Sequence, residues 1–208
     1  MTITVHHLEN SRSQRILWLL EELGLPYEVV RYERDKKTML APPELRRIHP
    51  LGKSPVIQHG GHTVAETAAI IEYLVELADG HLGSPAHRED ALRYRHFMHY
   101  AEGSLMPPLL LKLVLSRVPL FGKTAVKRIQ PMIDVHLDWV ESELATRDWF
   151  AGDAMTAADV MMSFPLEAAV ARADATKGRP HIAAWLKTIH ARPAYQAALA
   201  RGGPYAYA

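Results

Sequence analysis

Every convincing strand signal in this 208-residue chain falls ahead of Pro85; beyond it the sequence reads as helices alone, broken by proline and glycine. That single change of class constrains the fold strongly. Strands and helices that alternate can share one layered sheet, whereas a long helical remainder must bury its apolar faces in a bundle of its own.

The first part opens with Thr2 to Leu8, rich in apolar and β-branched residues, which predicts a strand that breaks at Glu9-Asn10-Ser11. From Arg12 the spacing becomes helical: Ile16, Leu17, Leu19, Leu20 and Leu23 share one broad face, and Gly24 with Pro26 supplies the stop. Tyr27 to Tyr32 predicts a second strand, Glu33 to Lys37 a solvated loop, and Pro43 to Ile48 a short helix. Pro55 to His59 and His62 to Val64 flank Gly60-Gly61 as a hairpin, and Ala68 to Leu77 carries Ile70, Ile71, Leu74 and Leu77 at helical spacing. The order βαβ, hairpin, helix is the thioredoxin-like arrangement, an α/β layer over a small mixed sheet.

After Asp79-Gly80 and Gly83-Ser84-Pro85, helices are predicted over His87–Leu115 with a kink at Pro107-Pro108, then Lys123–Thr146, Ala157–Ala171, His181–Ala191 and a short run after Pro193. The expected organisation is therefore a thioredoxin-like domain over 1–79, a linker over 80–86, and an all-α domain over 87–208.

Charge and composition exclude several function classes. A net charge of +1 with no basic stripe lacks the footprint of a nucleic-acid binder. With no cysteine there is no disulfide framework, no thiolate metal site and no protein thiol nucleophile, so any sulfur chemistry must use a ligand's sulfur. The opening MTITVHHLEN has no basic segment leading into an apolar one, and no stretch approaches the roughly 20 apolar residues that span a bilayer. The expectation is a cytoplasmic protein without membrane partners. Twelve histidines raise the question of a metal, but His96 and His99, on one helical face, have no carboxylate or cysteine beside them to complete a set, and none is expected. His59 and His62 flank the hairpin turn and are expected to be exposed.

The segment His49-Pro50-Leu51-Gly52-Lys53-Ser54-Pro55-Val56, followed by Glu66-Thr67-Ala68-Ala69-Ile70, resembles the cytosolic glutathione transferase family. Members carry Asn-Pro-x-Gly-x-x-Pro before the third strand, with the last proline cis, and Glu or Gln followed by Ser at the start of the third helix. The resemblance extends through Phe150-Ala151-Gly152-Asp153 and Thr156-Ala157-Ala158-Asp159, and is closest to the bacterial and fungal serine-type branch. His49, Ser54 and Thr67 stand where Asn, Val and Ser are usual; Thr67 keeps a hydroxyl, while His49 puts the loop carrying Lys53 most in question.

The resemblance implies an enzyme that conjugates glutathione to small hydrophobic electrophiles, a detoxification chemistry, with glutathione as co-substrate and no resident cofactor. It also implies a homodimer formed across the third and fourth helices. A peroxidase or disulfide reductase, or a non-catalytic glutathione-binding regulatory or assembly module, are the alternatives. By the same implication the main chain of Ser54, beside a cis Pro55, pairs with the extended tripeptide. The N–H and hydroxyl of Thr67 hold the γ-glutamyl carboxylate, with Glu66 near its ammonium group and Lys53 near the glycyl carboxylate. Taken alone, Glu66 and Thr67 could equally cap their helix.

For the hydroxyl that hydrogen-bonds the sulfur, Ser11, four residues before Arg15, is the best match, with Ser13 and Asn10 as rivals. Ser11-x-x-Gln14 also reads as a capping box, which would explain a serine without catalysis. The chemical demand is modest. Lowering a thiol pKa of about 8.5 by about 1.5 units requires roughly 2 kcal/mol in favour of the anion, within reach of one charge-assisted hydrogen bond. In the helical half Tyr94, Met98 and Met106, with Leu109, Leu110 and Leu113, are candidates for the apolar electrophile pocket, although most such residues on a helix are core. Thr156-Ala157-Ala158-Asp159 reads as a structural capping box, with Met155 and Val160 as its staple.

Overall fold

A computed structural model describes all residues, 1–208. They form two compact units: Met1–Gly83 with His190–Ala206 and Ala208, and Ser84–Ile189 with Tyr207.

In the first unit, β1 (Ile3–Leu8) lies between β2 (Tyr27–Tyr32), parallel to it, and β3 (Val56–His59), antiparallel; β4 (His62–Ala65) pairs with β3, giving the order β2-β1-β3-β4. The parallel pair needs a crossover, which α1 (Ser13–Leu23) supplies, while the β3–β4 turn is closed by Gly60 and Gly61, both at positive φ as a tight two-residue turn requires. His59 at that turn is tied down rather than merely exposed, with Nδ1 2.8 Å from the Tyr73 hydroxyl. The short α2 (Leu45–Ile48) precedes β3, and α3 (Thr67–Leu77) follows β4, burying Ile70, Ile71 and Leu74.

An amphipathic surface helix buries one stripe, but α1 is buried at every position from Ser13 to Leu20. The cause lies at the far end of the chain. The last helix, α9 (Pro193–Gly202), packs along α1, with the Tyr195 ring edge-on to Trp18 at 5.4 Å. Glu22 joins the two helices: it accepts Trp18 Nε1 at 2.8 Å and both arms of the Arg192 guanidinium at 2.5 and 2.8 Å. Burial opposes its ionisation, but those donors outweigh burial and hold the carboxyl below its usual value. The sequence-drawn limits 1–79 and 87–208 follow the change of element class; packing groups residues 190–206 with the first unit instead.

The second unit contains α4 (Arg88–Tyr100), α5 (Met106–Ser116), α6 (Gly122–Leu144), α7 (Ala157–Ala173) and α8 (Pro180–His190), the last ending at the unit boundary. The kink expected at Pro107-Pro108 takes a specific form: a π-helical segment, Ala101–Leu105, between α4 and α5. Two successive prolines cannot donate to the carbonyls one turn back, so the regular ladder is interrupted there. Phe97 stacks on Trp139 at 5.5 Å and meets Phe150 at 4.6 Å, and His96 stacks on Tyr100 at 5.4 Å. His96 itself is exposed, lying over the Tyr100 ring and edge-on to Trp139. No cluster of three or more His, Cys, Asp or Glu side chains is arranged to hold a metal ion, and no helix is long and apolar enough to cross a membrane.

The capping box at α7 forms as its sequence predicts: Thr156 Oγ1 accepts Ala158 N–H at 3.3 Å and the Asp159 carboxylate accepts Thr156 N–H at 2.8 Å. Asp159 also accepts Phe150 N–H at 3.0 Å, so it fastens the preceding loop as well as the helix.

Candidate functional site

Two segments expected at the site come together through strand register. Val56 of β3 pairs with Ala65 of β4, so one step beyond this pair Ser54-Pro55 runs beside Glu66-Thr67. The Ser54–Pro55 bond is cis. The Ser54 side chain is committed to the sheet: its hydroxyl donates to the His6 carbonyl at 2.8 Å and accepts Leu8 N–H at 3.2 Å, fixing this loop to the end of β1. Its main-chain N–H and C=O make no hydrogen bond within the protein and remain available to an extended ligand.

Glu66, directly before α3, has φ +70° and ψ 124°, a conformation a non-glycine residue rarely adopts. Neither its side chain nor that of Thr67 caps the helix. The bland alternative of a simple cap is thus absent, and the Thr67 hydroxyl is left without an internal role. The first intrahelical bond here is Ile70 N–H to the Glu66 carbonyl, 2.9 Å, so the N–H groups of Thr67, Ala68 and Ala69 open the helix unpaired, facing the end where an anion is favoured. Lys53 is exposed on the loop between Gly52 and Ser54.

The first turn differs from its sequence-based picture. No capping box joins Ser11 to Gln14: Arg12 occupies the N-cap position and its side chain does not cap the helix, and the Gln14 carboxamide is buried with neither atom hydrogen-bonded. The reason is the approach of α9, since a Cβ at Gly202 would lie 2.6 Å from Gln14 Oε1. Gln14 is turned into the α1–α9 contact rather than back along its own helix.

The three candidate sulfur ligands separate by environment. Ser13 is fully buried, with its hydroxyl 2.8 Å from His7 Nδ1 and 2.8 Å from Ser11 Oγ, and it accepts Leu8 N–H at 3.2 Å. Ser11, 6% exposed, lies at the outer end of this chain and also accepts Ser13 N–H at 3.3 Å. Asn10, half-buried with φ +50°, has its carboxamide oxygen occupied by Ala206 N–H at 2.8 Å.

His7 was not singled out by sequence. Its ring is 2% exposed, and burial, with Arg31 nearby as the second cause, pushes its pKa down to about 4. A histidine neutral when folded but near 6.5 when unfolded leaves stability complete above pH 6.5 and removes it as pH falls toward 4. Relative to a His7→Gln variant, which cannot titrate, the parent should lose about 3 kcal/mol over that window in chemical denaturation. A pH-independent difference would contradict this.

Of the electrophile-pocket candidates, Tyr94, Met98, Met106 and Leu109 are buried in the second unit, whereas Leu110 is 47% exposed. None of them borders the cavity of about 600 Å³ lined by residues including Lys112, Gln130, Asp134, Asp138 and Arg179.

This arrangement has relatives. Residues 1–76 match the family model described as glutathione S-transferase, N-terminal domain, and residues 97–193 match the corresponding C-terminal domain. Glutathione S-transferase 3 of Schizosaccharomyces pombe is 37% identical over 207 residues, covering 92% of this chain and 84% of its own. The chain belongs to the glutathione S-transferase family. Glutathione S-transferase 1 of Saccharomyces cerevisiae is 36% identical, with 94% of this chain and 93% of that protein covered. Among solved structures, a glutathione S-transferase from Actinobacillus pleuropneumoniae superposes with a TM-score of 0.89 at 33% identity, covering 99% of this chain and 95% of that one. The transferase fold expected from the sequence, a thioredoxin-like α/β part followed by helices, is the one observed.

Proposed function

We propose that this transferase binds glutathione along Ser54-Pro55 and conjugates its thiolate to small hydrophobic electrophiles. The observation that carries the reading is the juxtaposition, set by β3–β4 register, of an unpaired Ser54 main chain with the uncapped start of α3. The first supplies strand-like pairing for a peptide and the second a seat for its γ-glutamyl carboxylate at Thr67, with the Glu66 carboxylate beside the ammonium group and Lys53 beside the glycyl end. The Ser11 hydroxyl is the sulfur ligand; Ser13 is internal, and Asn10 is engaged through its oxygen.

With the thiolate formed, no protein nucleophile and no resident cofactor is required, and rate comes from holding the electrophile near the sulfur. Tyr94, Met98 and Met106 are the proposed apolar contacts for that electrophile. A homodimer in the cytoplasm and a detoxifying role complete the proposal; light scattering should give about twice the 23.3 kDa chain mass.

The test is turnover of a general aryl halide with glutathione. Saturable conjugation supports the reading. Retention on glutathione resin without turnover would instead mark a binding module, and NADPH consumption with a peroxide or mixed disulfide in a glutathione reductase-coupled assay would mark a reductase.

A further inference from the structure

The hydrogen bonds along the buried chain His7–Ser13–Ser11 have two possible directions, and a proton count over the neighbouring groups favours one. The Nε2 side of the His7 ring faces Gly202, the last residue of α9, whose N–H belongs to the helix and whose carbonyl accepts no backbone bond, so the proton is assigned to Nε2 and Nδ1 acts as an acceptor. The groups facing His7 are Gly202 of α9, Ser13 of α1, Arg31 of β2 and Glu9 beyond the end of β1; the Gln14 amide lies against the same glycine. Only the Ser13 hydroxyl reaches Nδ1, at 2.8 Å, and this is shorter than its alternative at the Leu8 carbonyl, 3.3 Å. Ser13 therefore donates to His7. Its oxygen already accepts Leu8 N–H, and the 2.8 Å contact with Ser11 must then be filled by the Ser11 proton. Ser11, which also receives Ser13 N–H, is left with a lone pair and no proton to offer outward.

We propose that His7 is a positioning residue for the sulfur site: acting through Ser13, it draws the Ser11 hydroxyl proton inward, so that Ser11 receives a bound thiol's S–H and must release Ser13 before it can donate to a thiolate. This rests on Ser11 being the sulfur ligand, as proposed above. Ionisation then proceeds with the thiol proton leaving to solvent and the Ser11 hydroxyl rotating outward, so proton and charge balance without any change at His7. The inward bond is a restraint on thiolate formation that a lone serine would not impose.

The consequence is opposite signs at two neighbouring serines. Ser13→Ala removes the competing acceptor while leaving Ser11 in place, and should lower the apparent pKa of the bound glutathione thiol by about half a unit to one unit. The thiolate's ultraviolet absorbance, titrated with pH on the binary complex, reads this directly. His7→Phe keeps a ring but removes the nitrogen acceptor and should shift the value in the same direction, and Ser13→Thr should restore the parent value. An unchanged or raised value in Ser13→Ala would overturn the proposal, since loss of a merely structural hydroxyl gives no reason for a more acidic thiol.

The parent protein supplies a check independent of folding in the variants. ¹⁵N shifts of His7 in the ligand-free protein should show Nε2 protonated and Nδ1 bare; the reverse tautomer would overturn the proposal by itself. If the parent takes up no glutathione, the functional reading fails, while the tautomer measurement still decides the direction of the chain.

Discussion

Replacing Asp159 with alanine should destabilise the protein by about 2 to 4 kcal/mol, because two buried backbone N–H groups, those of Phe150 and Thr156, lose their acceptor together. The sequence alone supports a figure near 1 kcal/mol, the usual worth of one helix cap. The larger value follows from the second anchor at Phe150, whose ring sits against Phe97 and Trp185 at 4.6 and 5.1 Å. Thr156→Ala should remain near the single-cap value, since both N–H groups keep Asp159.

Burial pushes the Asp159 carboxyl up to about 6, against the hydrogen bonds from Phe150 and Thr156 that favour its ionised form. A carboxyl raised in the folded state takes up its proton there first, so the parent gains stability relative to the alanine variant as pH falls from about 6 toward 4. The cost of Asp159→Ala, measured by chemical denaturation, should accordingly grow on acidification. A cost that shrinks over that range would mean the carboxylate is stabilised, not strained, by its surroundings.

The second large effect falls on chemistry. Ser11→Ala removes the first-turn hydroxyl that rotates outward to donate to the thiolate, and should raise the apparent pKa of the bound thiol by about one unit. At a pH well below the bound thiol's pKa, where the thiolate is the minor species, kcat/KM for an aryl halide should drop about tenfold, with the deficit closing as pH rises above the shifted value. Because the Ser11 hydroxyl also accepts Ser13 N–H and bonds the Ser13 hydroxyl, a stability loss of about 1 to 2 kcal/mol should accompany the change, too small to unfold the protein under assay conditions. A loss of activity that persists unchanged at high pH would assign Ser11 to binding geometry instead of ionisation.

What the sequence discloses and what it hides divide along physical lines. The βαβ unit, the Gly60-Gly61 hairpin and the α7 cap are legible because each is settled by residues adjacent in the chain: β-branched runs, two glycines able to take positive φ, a Thr and an Asp three residues apart. The kink at Pro107-Pro108 is legible in place but not in kind, since the missing donors are local whereas the π form depends on how the flanking helices pack.

The first turn misleads for the opposite reason. Ser11-x-x-Gln14 has the spacing of a capping box, but α9, some 190 residues later, buries the Gln14 side chain and fills the space it would need. The role of His7 is hidden in the same way. Nothing in a strand reading His6-His7 distinguishes the ring that meets Tyr32 and Gln58 on one side of β1 from the ring that meets Ser13 and Gly202 on the other. Alternation along a strand puts the two on opposite faces, but only the return of α1 and α9 decides what each face meets. The positive φ of Glu66 likewise has no local signal, because glutamate does not favour that conformation and is held in it by its surroundings.

Isothermal calorimetry of glutathione against the parent protein tests the central claim most directly. One site per chain should be filled, with binding reduced at least tenfold when Thr67 is replaced by proline, which removes an N–H at the opening of α3. No measurable uptake of glutathione by the folded parent protein, or uptake indifferent to that substitution, would contradict the placement of the tripeptide between Ser54 and the start of α3.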